Sequence, residues 1–431
     1  MGVRKTMKIK LKTLVEFQIY YLMIVIALVD LLHLPNVIRY LLDVNMLVII
    51  FFILFRGTLE KKHTKQITGY VMAYMIILVV LSAMRVNPVG QIFWGVRNNF
   101  FYIIFFLVCV KVFEFADVER IFDNLVKLQT LNVLCGLYEY YILDMSGDYF
   151  GGMFGYQQGC NGHLNVYLMV ISAYAVCKYT QNKMHIFRMV WILLSSVLMA
   201  TLGELKIFYV ELLMIVILCL LLNRQKIKSM LVFVSAIAVI FVGVQILSVT
   251  YEESVAVLYN IENVLEYNSI MDYGSGDIRI ARFTVIAQIN EYFFGDNFLV
   301  KLFGYGLGAC ESSQTFSWAN STFADRYGYL QYRDLSSAMN YLETGFLGVM
   351  AFLLIFIIIF MNVQKFRKCK FANCEDYINV FAQIMCLMAI VCIFYNSSVR
   401  REIAYLLFFS LSSSYVYMKK YDNEVASMSI D

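Results

Sequence analysis

Apolar runs close to the length that crosses a bilayer recur along nearly the whole of this chain, and they leave room for one class of fold. A span needs about 20 predominantly apolar residues in helical form, because hydrocarbon offers no partner to an unpaired backbone amide. Twelve segments meet the pattern. The first nine are Leu14–Leu32, Val37–Phe55, Ile67–Met84, Ile92–Val112, Leu125–Leu143, Leu164–Tyr179, Ile186–Thr201, Leu205–Leu222 and Met230–Leu247; the last three are Ala338–Met361, Tyr377–Tyr395 and Ile403–Met418. Composition agrees, since 61% of the residues are hydrophobic and only 15% charged. The expectation is an all-α polytopic membrane protein in three parts: spans one to nine within residues 1–247, a large, partly helical loop over 248–337, and spans ten to twelve with a tail over 338–431.

Sidedness follows from the basic residues, which accumulate on cytoplasmic segments. With the N-terminus inside, the inner segments hold 24 of the 35 Lys and Arg residues. Both termini are then cytoplasmic and the 248–337 loop is extracytoplasmic. The first apolar segment follows a basic stretch but lacks a small-residue cleavage pattern and exceeds a signal-peptide core, so it is expected to remain as an anchor. The split by residue type carries more. Inside are 18 Lys and 6 Arg; outside are 9 Arg (Arg39, Arg85, Arg97, Arg279, Arg282, Arg326, Arg333, Arg400, Arg401) and only Lys206 and Lys301. Lipid headgroups would attract either cation, whereas a fixed phosphate or carboxylate site favours the guanidinium fork. An anionic ligand is therefore preferred over simple snorkelling to the interface.

The first half of the chain offers scattered polar features. Arg85–Asn98 combines Pro88, two outer Arg residues and Trp94, as an interfacial segment with an aromatic anchor would. The Gly- and Tyr-rich loop from Asp144 to His163 has no Lys or Arg and reads as a flexible connector more readily than as a cover for a ligand. Glu139 and Glu211 lie inside apolar segments, where a carboxylate needs a partner or a wet cavity. Cys160 and Cys310 are the only outer cysteines; a disulfide between them is a weaker reading than two free thiols. No outer His cluster or Asp-x-Asp pattern points to a metal, and no cofactor is expected.

Within the large loop, Tyr251–Tyr267 reads as an amphipathic helix, and Tyr273–Asp277 breaks it. Asp277 would cap a second helix running to about Phe293, with Arg279 and Arg282 on one face and its N-terminal amides favouring an anion. A salt bridge to the Glu-rich helix before it is the rival reading of these two arginines. Then come a glycine-alternating turn, Gly304–Gly308, and a polar, aromatic stretch, Glu311–Asp334, containing Trp318, Arg326, Tyr332 and Arg333. Aromatic faces among polar groups suit sugar rings. Lys206 closes the short outer turn Thr201–Lys206, and Glu343 stands at the outer mouth of the tenth span. A carboxylate there either activates a hydroxyl or pairs with an outer Arg.

Taken together, the GELK turn (Gly203–Lys206), the Arg-bearing loop with its GYGLG turn and the re-entry segment SSAMNYLETGFLG (Ser336–Gly348) resemble the O-antigen polymerase and ligase superfamily. The nearest type is the Wzy-like polymerase of bacterial capsule or O-antigen repeat units. Many relatives, the ligases above all, carry His-Asn in the re-entry segment; here it is Met339-Asn340, which argues against a ligase and leaves the base unassigned. The resemblance implies a metal-independent glycosyltransferase of the membrane-embedded C type (GT-C) in the bacterial inner membrane. It would transfer a glycan from undecaprenyl pyrophosphate to a lipid-linked repeat unit, with a flippase and a chain-length regulator as candidate partners and no nucleic acid. Glu343 would then act in catalysis, and Arg279, Arg282, Lys206, Arg326, Arg333, Trp318 and Tyr332 in substrate binding. An O-antigen ligase, a polysaccharide flippase or exporter, and a non-catalytic assembly partner are the alternatives. Without a visible internal repeat, the transporter readings weaken.

Overall fold

The computed structural model describes residues 2–54, 63–85, 87–251, 280–369 and 376–428, together with 262 and 265, and within these residues each of the twelve expected apolar segments is helical over most of its length. The helices are α1 (Gly2–Leu31), α2 (Leu41–Leu54), α3 (Lys65–Met84), α4 (Val89–Val112), α5 (Phe115–Ile142), α6 (Asn161–Thr180), α7 (Ile186–Leu202), α8 (Lys206–Leu222) and α9 (Lys226–Thr250). Among the described residues of the large loop follow the short helices α10 (Val285–Ile289), α11 (Phe298–Phe303) and α12 (Thr322–Tyr327), and then α13 (Ser336–Cys369), α14 (Tyr377–Tyr395) and α15 (Ala404–Met428). No strand occurs among the described residues. Among the described residues, seven helices (α1 to α4, α9, α13 and α14) are long and apolar enough to cross a membrane. The protein is thus a helical protein embedded in a membrane.

The layering follows from which faces are apolar all round. Helices α4, α6, α14 and α15 are buried along most of their length and form the centre, where Tyr102, Phe105 and Tyr405 meet edge to face at ring distances of 4.7 and 5.1 Å. Helices α2, α3 and α9 instead leave rows of large apolar side chains exposed, among them Phe51, Ile77 and Phe241, as faces toward lipid require.

Polar contacts gather at the two ends. At one, Arg367 bonds Asp376 (2.7 Å) and the Leu222 carbonyl (2.8 Å), Lys178 bonds Asp123 (2.8 Å), and Lys12 pairs with Asp117. All of these lie on segments expected inside. Segments expected outside meet one another around a cavity at the other end.

Three loop features position that cavity. The Asp144–His163 loop is not a slack connector: Phe150 to Gly155 are buried, and Glu139, buried in the last turn of α5, accepts the Gly151 and Gly152 amides at 3.2 and 2.6 Å. Asp30 accepts the Tyr156 amide (2.8 Å) and the Gln157 side chain (2.6 Å). A carboxylate buried in a helix bundle needs donors, and glycine-rich backbone can approach closely enough to supply them. Secondly, α13 is broken at Gly345 (φ 64°), and the Gly304–Gly308 turn fills the break. The amides of Tyr305 and Gly306 cap the Leu342 and Glu343 carbonyls, each at 2.8 Å. Thirdly, α4 begins at Val89, directly after Pro88, so Trp94, Arg97 and Asn98 ride on a buried helix face and not on an interfacial loop. Trp94 is only 7% exposed.

Apart from Tyr251, Glu262 and Leu265, the amphipathic helix expected over Tyr251–Tyr267 lies outside the described residues, as do the cap Asp277 and Arg279. Downstream the expected helix is shorter than read: Ile280 pairs its amide with the Leu330 carbonyl (3.1 Å), and the helical turn starts only at Val285. Arg282 therefore precedes the helix.

Candidate functional site

The cavity has a volume of about 410 Å³ and is walled by segments scattered over the chain: the α1–α2 connection, the start of α4, the loop before α6, the Glu311–Asp334 stretch and the α14–α15 connection. Arg39, Arg97, Arg333, Arg400 and Arg401 line it, against the carboxylates Glu311, Asp334 and Glu402. These five are more than half of the nine outer arginines counted in the sequence.

Two of the five are held by internal partners. Arg97 makes a bidentate pair with Asp43 (Nε–Oδ1 2.9 Å, Nη2–Oδ2 2.8 Å) and lies over the Trp94 ring, 5.2 Å from its centroid. Arg400, 6% exposed, is the hub of a buried network. Its Nη1 donates to Asn99 (2.9 Å) and Asn340 (2.6 Å), and its Nη2 to Glu311 (2.5 Å) and Glu343 (2.8 Å). Asn98 donates to Glu311 as well, at 2.6 Å, and the Gly308 amide donates to the second Glu343 oxygen at 3.0 Å. Burial alone would lower the Arg400 pKa; Glu343 and Glu311 outweigh it and raise the value, so the guanidinium stays charged.

The other three keep donors for a ligand. Arg39 spends one N–H on Gln157 (3.2 Å) and stands 3.6 Å from Glu402. Arg401 bonds Ser397 (2.8 Å) and approaches the exposed Asp334 at 3.4 Å. Arg333 makes no hydrogen bond or ion pair with another described residue. With Asp43 and Glu343 behind them, the five arginines meet five carboxylates, so what suits the cavity to an anion is the set of N–H donors that Arg39, Arg333 and Arg401 leave unspent on its wall.

Burial would push the Glu402 carboxyl up, but Arg39, His163 and Arg97 around it hold it well below the usual carboxylate range. A depressed value stabilises the fold above the ordinary pKa and loses that contribution as pH falls through the folded one. Glu402→Gln is accordingly expected to cost about 2 kcal/mol at pH 7. Thermal melting in detergent should show the gap to wild type closing as the pH is taken below about 4.

An aromatic group borders the cavity. Tyr40 and Trp94 line it, and Phe316 packs edge-on to both, at 4.8 and 5.8 Å between ring centroids. Trp318 stands perpendicular to Trp94 at 5.6 Å and is 47% exposed.

Of the residues expected from the sequence, Arg333 lines the cavity, and Trp318 adjoins it through Trp94. Glu343 reaches it only through Arg400: it is fully buried, and both of its oxygens are occupied, which matches the ion-pair reading and leaves no face toward a hydroxyl. Arg282 bonds the Tyr395 carbonyl (3.1 Å) and stacks over that ring at 4.7 Å, away from the cavity. Lys206 pairs with Glu204 at 3.2 Å, and Arg326, exposed, lies over Tyr327 at 5.2 Å. Tyr332 is buried and donates to the Cys310 carbonyl (2.8 Å), so it holds the loop together. Cys160 and Cys310 are both buried free thiols. The sequence groups Arg39, Arg97, Arg400 and Arg401 by charge type only. Glu311, Glu402 and His163 carried no signal in the sequence, because nothing local distinguishes an acid or a histidine that faces a cavity from one that faces water.

No protein-family model matches the chain, and neither does any curated protein.

Proposed function

We propose that this protein polymerises lipid-linked oligosaccharide repeat units, using the cavity as the site where a pyrophosphate leaving group and an acceptor sugar meet on the extracytoplasmic side of a bacterial inner membrane. The observation that carries the reading is the convergence of five arginines from four separate segments on one cavity, three of them with donors to spare. A diphosphate carries charge that grows as its bond to the anomeric carbon breaks, and preorganised guanidiniums meet that charge without reorganising. The aromatic border of Tyr40, Trp94, Phe316 and Trp318 offers C–H stacking faces for sugar rings. The twelve helices that carry the expected apolar segments fit the membrane-embedded glycosyltransferase type, with both termini inside. In this reading Glu343 and Glu311 are positioning residues for Arg400.

The test is a strain lacking the protein. Surface glycan limited to single repeat units supports the polymerase; lipid-linked units retained inside indicate a flippase, and long chains left on their lipid indicate a ligase. Within the polymerase reading, Arg333→Lys keeps the charge and loses the fork, so polymer yield is expected to fall about tenfold or more, in line with 1.5 to 3 kcal/mol for a charged hydrogen bond. A wild-type ladder at wild-type protein level would remove Arg333 from the site. Sidedness is checked separately: Gln314→Cys should react with an impermeant maleimide in intact spheroplasts, and protection would reverse the topology.

A further inference from the structure

The polymerase reading needs a base for the acceptor hydroxyl, and most of the acids around the cavity are committed elsewhere. Glu311 and Glu343 are bonded to Arg400, Asp43 to Arg97, and Asp334 faces Arg401 at the mouth. Glu402, held between Arg39 (3.6 Å) and Arg97 (3.7 Å), is a weak base because taking a proton would undo two favourable charge contacts. The imidazole among the lining groups stands outside these pairs. His163, in the first turn of α6, is 3% exposed, and its Nε2 has no hydrogen-bond partner and lies 3.6 Å from Glu402 Oε2.

We infer that His163 is the general base of the transfer, with Glu402 as the residue that orients its imidazole; this rests on the polymerase reading of the cavity. The ring is positioned from two sides. Its backbone amide donates to the Cys160 carbonyl at 2.9 Å, which ties the start of α6 to the pinned glycine-rich loop, and the Phe154 ring lies 6.2 Å away in the same loop. With Nε2–H turned to the carboxylate, Nδ1 is the nitrogen that takes the proton, in the arrangement of base and orienting acid that activates hydroxyl nucleophiles generally. The proton of the acceptor hydroxyl passes to Nδ1, and the oxygen forms its bond to the anomeric carbon. The bond from that carbon to the diphosphate oxygen breaks, and its electron pair leaves on the diphosphate, opposite Arg39, Arg333 and Arg401. The resulting imidazolium is balanced by Glu402.

The experiment uses the full-length protein, purified and reconstituted, with lipid-linked oligosaccharide extracted from cells that lack it as the probe. Elongation and binding of the probe are measured for wild type, His163→Ala and His163→Gln. The expected result is a loss of elongation on the order of 10² to 10⁴-fold in both variants, with probe binding within a few-fold of wild type. Added imidazole should partly restore His163→Ala, which a purely structural histidine would not allow. Elongation retained in His163→Gln, or probe binding lost in step with elongation in both variants, overturns the assignment while leaving the polymerase reading in place. If the wild-type protein binds the probe and does not elongate it, the polymerase reading falls and this inference falls with it.

Discussion

Arg400→Met is expected to be among the most damaging single substitutions in the protein, with a cost of about 3 to 5 kcal/mol. Methionine fills much of the space but leaves Glu311 and Glu343 facing each other without a cation, in a place where water does not reach Glu343, at 0% exposure. The side chains of Asn99 and Asn340 lose their donor at the same time. Removing one partner of a buried ion pair costs more than the pair contributes, because the remaining charge stays buried. Arg400→Lys should fall between the two: a single ammonium restores charge but cannot reach four acceptors held by a planar fork. Thermal unfolding of the purified variants in detergent, with membrane levels beside it, gives the ranking. A methionine variant that melts with the wild type would show that the two carboxylates are solvated or protonated, and would remove Arg400 as the hub.

Gly308→Ala should have an effect of similar size by a different route. Gly308 sits at φ +77°, and an added Cβ would stand 1.8 Å from the Gln91 carbonyl oxygen, on the backbone of α4. Helical backbone has no room to retreat, so left-handed strain and overlap combine to about 3 kcal/mol or more. The same argument applies at Gly345, where the new Cβ would meet the Leu302 carbonyl carbon at 2.4 Å. Gly295 provides the control. It also has a positive φ, +52°, with nothing within 4 Å of the added atom, so Gly295→Ala should cost only the backbone strain, about 1 kcal/mol. Equal loss of protein from the Gly295 and Gly308 variants would mean that the turn does not pack against α4 and the α13 break.

The Gly304–Gly308 turn illustrates how far local reading goes. Alternating glycines announce a backbone that needs unusual torsions or close approach, and both needs are present. That the turn caps the break in α13 was not readable, since the partner carbonyls of Leu342 and Glu343 lie some way along the chain. Glu343 was picked out by its place at a helix mouth; only the arrival of Arg400 beside it determines whether it can touch a hydroxyl. The Asp144–His163 loop misled for a related reason. Glycine-rich sequence is equally compatible with a slack tether and with backbone pressed against buried carboxylates, and the carboxylates, Asp30 and Glu139, lie on other elements.

By itself the sequence determined what depends on neighbours along the chain. Apolar runs of bilayer length made helices, because a backbone in hydrocarbon must satisfy its own hydrogen bonds. The contrast between lysines on segments expected inside and arginines on segments expected outside set the expectation of two chemically different ends, and of an anion at one of them. Tertiary structure decided which charges meet: Asp43 with Arg97, Glu311 with Arg400, His163 with Glu402, each pair far apart in sequence and joined only when the helices carrying them pack. The reason is the range of the forces involved. Helix formation is settled by residues within a turn or two, whereas a guanidinium chooses its carboxylate over a few ångströms of space, and no local pattern encodes which distant segment will fill that space.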